Sequence, residues 1–187
     1  VYVDNSGPTI GDIVITPSYE SDGSLYISGL STISASVSDG DGSGVASCEY
    51  TLDGGSNWNS GTYDSENHLC KAENVNTSGA NSINFRAKDN LANSSEGSAV
   101  SVTPDTVSPT VSINNVPSSW QNSDANLTIN CEDETDGSGC NSETVGYKVY
   151  SSQPESCPAE VSAYTIGSSV TISSHQWVCV YAEDNVG

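Results

Sequence analysis

Positive charge is nearly missing from this chain: four Lys and Arg stand against 24 Asp and Glu, a formal charge of −20 over 187 residues. Nucleic acids and anionic membrane surfaces are held through a positive footprint, so neither is expected as a partner. Methionine is absent and phenylalanine occurs once, with hydrophobic residues at 34%. Any core is therefore thin and built from Val, Ile, Leu and Tyr. Histidine is scarce as well. His68 and His175 are too few for an ordinary zinc framework, and none of the six cysteines forms a CxxC. Neither histidine neighbours a recognisable nucleophile motif, so no enzyme is expected. No apolar run is long enough to cross a bilayer, and direct membrane insertion is not expected.

What the chain does have is an even number of cysteines, which points to disulfides and an extracellular or cell-surface setting. Asn76, Asn93 and Asn126 each open an Asn-x-Ser/Thr triplet and are candidate glycosylation sites. Ser, Gly, Asn and Thr punctuate short apolar runs throughout, the composition of β-structure with many turns.

The chain also repeats itself. "SDGDGSG" (Ser38 to Gly44) returns as "EDETDGSG" (Glu132 to Gly139), and "FRAKDNLAN" (Phe85 to Asn93) returns as "VYAEDNVG" (Val180 to Gly187). "VDNSGPTI" from Val3 returns as "PDTVSPTV" from Pro104. Asp41 and Asp136 are 95 positions apart, as are Asp89 and Asp184, whereas Asp4 and Asp105 are 101 apart. Three landmarks in one order make two copies of one unit, the first with extra residues early on. Within each copy apolar residues alternate: Ile33, Ala35 and Val37 match Leu127, Ile129 and Cys131, and Ile83, Phe85 and Ala87 match Val178, Val180 and Ala182. Period two and β-branched enrichment predict strands, and a unit of about a hundred residues with proline-marked junctions predicts a β-sandwich.

The run "GSGVASCEYTLDGGSNW" from Gly44, then "AKDNLAN" and a Pro-Thr opening, resembles the Ig-like repeats of prokaryotic cell-surface proteins. The second copy, with "CEDETDGSGC" and "AEDNVG", is similar to the cysteine-bearing variety of those repeats. The resemblance implies an all-β fold of two tandem Ig-like sandwiches, residues 4–104 and 105–187. The second would lack its own final strand. Residues 1–3 ("VYV") align with "VSV" at Val100 to Val102 and would be a closing strand of a preceding or neighbouring domain. Two accounts stand for this: a window on a longer array, or strand donation between copies, which propagates head to tail into a filament.

In an Ig-like sandwich the loop between the second and third strands shares an end with the loop between the sixth and seventh, and with the entering linker. That would gather Asp4, Asp39, Asp41 and Asp89 in the first unit, and Asp105, Asp133, Asp136 and Asp184 in the second. Carboxylates about 5 Å apart repel by a few kcal/mol at an effective dielectric near 20. A hard cation with oxygen ligands offsets this, so calcium is the expected metal. The arrangement is similar to cadherin junctions, where calcium lies between successive domains. "AEDNVG" fits the cadherin loop, whereas Ala92 departs from it. The competing reading is that Asp-Gly and Ser-Gly are good turn formers. An EF-hand does not fit, because the twelfth position from Asp39 is Tyr50.

Cys48 and Cys70 are alone in the first unit and should pair. In the second, Cys131 and Cys140 lie at the top of the core, and Cys179 falls between inward Val178 and Val180. That favours Cys131–Cys140 with Cys157–Cys179 over the alternative, Cys131–Cys179 with Cys140–Cys157. Trp177 and Tyr181 alternate outward as a contact surface or sugar platform, or as a strip covered by the loop that Cys157 holds. Trp58 and Trp120 are expected to be packing residues. The leading function is a structural module of an extracellular surface or filament protein, its partners being neighbouring Ig-like domains or copies of itself. The alternative is a glycan- or protein-binding adhesin or accessory module.

Overall fold

Burial alternates along the long strands of a computed structural model that describes residues 2–187. In β2 (Ser24–Ser38) Ile27, Ile33, Ala35 and Val37 are buried, and the intervening Ser34 and Ser36 turn outward. β1 (Thr9–Ser21) folds back on β2 through Asp22-Gly23, a two-residue turn whose backbone angles suit the twist of a hairpin. The protein is an all-β sandwich. The chain divides into two units, one running to Thr106 and the other from Val107 to Asn185.

In the first unit, β3 (Val45–Thr51), β4 (Asn59–Ser60), β5 (Thr62–Asp64), β6 (Leu69–Asn76), β7 (Ser82–Asp89) and β8 (Ser94–Glu96) complete two facing sheets. One has the order β1-β2-β6-β5 and the other β4-β3-β7-β8. β9 (Val100–Ser101) adds to β7, and β10 (Thr103–Asp105) runs parallel to β2. Phe85, Ile83, Ile27 and Ile33 are fully enclosed between the sheets, each contributing roughly 1.5–3 kcal/mol by removal from water. Cys48 on β3 bonds Cys70 on β6, tying one sheet to the other inside this core. The unit breaks after Thr106 rather than at 104/105 because Thr103–Asp105 is hydrogen-bonded into the sheet of β2. Of the expected closing strand at 1–3, Val1 lies outside the described residues, and Tyr2 and Val3 are exposed and in no strand.

In the second unit β11 (Thr110–Asn114), β12 (Ala125–Glu132) and β15 (Ser169–Ile172) form one sheet. β14 (Thr165–Ile166), β13 (Gly146–Tyr150) and β16 (Trp177–Tyr181) form the other, with β16 at its edge. Its buried apolar set is small: Leu127, Ile129, Tyr164, Val170 and Cys179. Two disulfides supplement it. Cys131–Cys140 closes the acidic loop, and Cys157–Cys179 fastens the segment leading into a 3-10 turn (Val161–Ala163) onto β16. Tyr164, at the end of that turn, stacks on Tyr181 with ring centroids 5.1 Å apart and donates its hydroxyl to Pro158 O at 2.7 Å.

Candidate functional site

The repeated acidic phrase is a clasp, and it is made the same way twice. In the first unit the loop after β2 turns at Asp39, whose carbonyl accepts the N–H of Gly42 at 2.8 Å. Asp39 Oδ2 then accepts the N–H of Gly44 at 2.7 Å, so one carboxylate closes the loop on itself. In the second unit Glu134 O accepts Gly137 N–H at 3.1 Å, and Asp133 Oδ2 accepts Gly139 N–H at 2.6 Å. A β-carbon at Gly42 or Gly137 would collide with the Asp39 or Asp133 carboxylate. Gly44 and Gly139 hold φ of 90° and 83°, which a side chain would resist. That is the physical need behind the spacing of the glycines.

The other half of the clasp is an Asp-Asn pair, at the end of β7 in the first unit and just beyond β16 in the second. Asn90 donates its side-chain amide to Ser43 O (2.7 Å) and Gly44 O (3.0 Å), and its backbone N–H to Gly44 O (3.0 Å). Asn185 repeats this on Ser138 O (2.8 Å) and Gly139 O (2.8 Å), again with its backbone N–H on Gly139 O at 3.0 Å. The preceding aspartates cap the turn that follows. Asp89, only 2% exposed, accepts the N–H groups of Leu91 and Asn93 at 2.8 Å each and the Asn93 side-chain amide at 2.7 Å. Asp184, also buried, accepts the N–H of Gly187 at 2.7 Å. Asn90 and Asn185 were not among the residues singled out from sequence. The signal was there in the recurrence of Asp-Asn 95 positions apart, but the two asparagines were hidden beside the more conspicuous acids.

Asp4, Asp39 and Asp89 come together, each offering a carboxylate oxygen within 4.8 Å of the others. Asp4 bridges the entering segment to the clasp: its Oδ2 accepts Ser43 N–H at 2.8 Å and its Oδ1 accepts Ser6 N–H at 3.2 Å. These donors, Ser43 foremost, hold its carboxyl below the ordinary carboxylate range. Asp41 is left out of the group and stands exposed. The second set is divided between the units, Asp105 being a buried residue of β10 in the first and Asp133, Asp136 and Asp184 belonging to the second. Asp136 is exposed on its loop. Asp133 Oδ1 is buried and has no hydrogen-bond partner among the described residues.

Compared with protein-family models and with curated proteins, the chain gives no significant match. Its own geometry therefore carries the reading of the site.

Of the glycosylation candidates, Asn76 and Asn126 are exposed, their side-chain oxygens accepting from Ser78 Oγ (2.9 Å) and Thr171 Oγ1 (2.8 Å). Asn93 is different. Its amide nitrogen donates to Asp89 Oδ2 and to Asp4 O (3.3 Å), and a glycan, which replaces one amide hydrogen, would leave at most one of these bonds. The aromatic expectations also divide. Trp58 is half-buried under the Arg86 guanidinium at 4.4 Å, while Arg86 also pairs with Glu49 at 2.7 Å. Trp120, expected to pack, is instead 86% exposed. Tyr181 leaves the outer strip because Tyr164 covers it, and its hydroxyl donates to Glu183 Oε1 at 2.7 Å, pushing its pKa up to about 12. Trp177 remains 39% exposed.

Proposed function

We propose that this chain is a structural module of an extracellular surface protein, built of two Ig-like units whose role is to hold shape. The observation that carries the reading is the duplicated clasp, in which one acid-glycine loop is bonded to one Asp-Asn turn in each of two disulfide-stapled units. Loops bonded to their own backbone in this way suit load-bearing better than turnover. Three disulfides with no free cysteine support an oxidising, extracellular setting. Antibody against the folded chain should label intact cells of the source, and external protease should remove that label. Labelling only after permeabilisation, with reduced thiols in the recovered protein, would overturn the proposal.

Calcium is the proposed stiffening ion. Oxygens of Asp4, Asp39 and Asp89 within 4.8 Å of one another match ligands about 2.3–2.6 Å from a shared cation. Each has lone pairs left beyond its N–H bonds. In the second unit the buried, unpartnered Asp133 Oδ1 fits the same chemistry, because an orphaned carboxylate oxygen is costly unless a cation answers it. With Kd on the order of 10⁻⁴ to 10⁻³ M, about 10 mM calcium adds roughly 1.4–2.7 kcal/mol. A rise of several degrees in melting temperature, lost in Asp39→Asn, is the expected result. No rise in the native chain sinks the metal and leaves the clasp intact.

Strand donation is the filament form of this reading. Among the described residues β16 carries no strand on its outer side, while in the first unit β7 carries β8 and β9 on the matching edge. An open edge of this kind accepts a strand. Electron microscopy of the native material should show long uniform fibres, and dispersed particles at all concentrations count against donation.

A further inference from the structure

We propose that the second unit binds a neutral oligosaccharide in a groove of about 630 Å³ beside Trp120 and Trp177. The groove runs between the loop 116–123 and the turn 173–176, over the apolar floor of Leu127 and Val178. Three rings stand in a row along it. Trp120 and His175 have centroids 5.4 Å apart, and His175 and Trp177 have centroids 6.1 Å apart. Trp120, at 86% exposure, is the most solvent-exposed large aromatic outside the N-terminal segment, and a ring so placed has little burial to contribute to the fold.

Charge narrows the ligand. Not one Asp, Glu, Lys or Arg lines the groove, although such residues make up 15% of the chain. Besides the His175 imidazole, the polar side chains present are five serines and the amides of Gln121 and Gln176, donors and acceptors spaced among the rings. Nucleobases also stack on tryptophan, but their phosphates require cations that are missing here, and the net charge of −20 repels them. Acidic glycans are disfavoured on the same ground. A neutral sugar has an apolar C–H face for each ring and hydroxyls for the serines and amides, so its two chemistries match the two chemistries of the lining. The volume lies within the range of small-molecule sites. This inference does not depend on the structural role proposed above, nor on calcium.

The test uses the full chain in buffer containing a calcium chelator. It is titrated with short oligosaccharides of neutral hexoses, pentoses and N-acetylhexosamines, with a sialylated oligosaccharide as the acidic control. Calorimetry and tryptophan emission report binding. At least one neutral class should bind and the acidic control should not. Trp120→Ala and Trp177→Ala should each weaken that binding by about tenfold or more. Trp58→Ala, in the first unit under Arg86, should leave it unchanged. Because Trp120 is exposed, its variant should melt with the native chain, so loss of binding is not loss of fold. Absence of binding to every neutral class at millimolar sugar overturns the proposal. So does binding that survives the double tryptophan substitution. Sedimentation showing a concentration-dependent dimer that Trp120→Ala abolishes would also overturn it, assigning the groove to a second copy of the chain.

Discussion

Removing the Asn185 side chain tests the clasp directly. Asn185→Ala deletes two part-buried N–H···O bonds of 2.8 Å to Ser138 and Gly139 carbonyls and leaves the backbone bond in place. At a net value of about 1 kcal/mol each, the loss is about 2 kcal/mol. For a unit running from Val107 to Asn185, that is roughly 8–16 °C in melting temperature. Asn90→Ala removes the twin bonds at 2.7 and 3.0 Å, but there they are open to solvent. Water takes their place, and the expected loss is about half as large or less. Asn185→Asp should be worse than alanine, because it turns a carboxylate oxygen toward two carbonyl oxygens. Calorimetry with disulfides intact resolves the two units as separate transitions if they melt independently. A cycle with Asp133→Ala adds a further check: both side chains act on Gly139, so the double variant should lose less than the sum. Equal effects of alanine at positions 90 and 185, or an Asn185→Asp variant as stable as the native chain, would refute the reasoning.

Breaking Cys157–Cys179 with paired serines should cost roughly 2–4 kcal/mol, free the segment 151–164 to limited proteolysis, and expose Tyr181 as its cover, Tyr164, lifts away. Phe85→Ala, at the centre of the first core, should cost about 3–5 kcal/mol in denaturant titration, with Cys48–Cys70 still formed. Asp53 is held down to about 2 by the Asn57 side chain and backbone N–H and by the Thr51 hydroxyl. Its folded pKa is depressed, so its contribution is full above the ordinary carboxylate range near 4 and fades as pH falls from about 4 towards 2. Asp53→Asn should flatten that part of the acid melting profile, and an unchanged profile would count against the assignment.

The sequence by itself determined the class of fold and the existence of the repeat. Alternation at Ile33, Ala35 and Val37 and at Ile83, Phe85 and Ala87 is a local property: a strand shows every second side chain to one face, and burial follows. The glycine spacing of the acidic phrase was equally visible, because a loop that closes on its own carboxylate needs only neighbours in sequence. What lies between distant segments was decided by tertiary structure. Asn90 reaches Ser43 across 47 positions and Asn185 reaches Ser138 across the same number, and no local pattern announces a side chain's partner at that range. Alternation placed Trp177 and Tyr181 on one outer strip, but only the folded segment around Tyr164 separates them by covering one and not the other. Likewise the aromatic row of Trp120, His175 and Trp177 exists because two loops more than fifty residues apart are brought beside each other at one end of a thin sandwich. Exposure is a property of what surrounds a residue, and those surroundings are supplied by the rest of the chain.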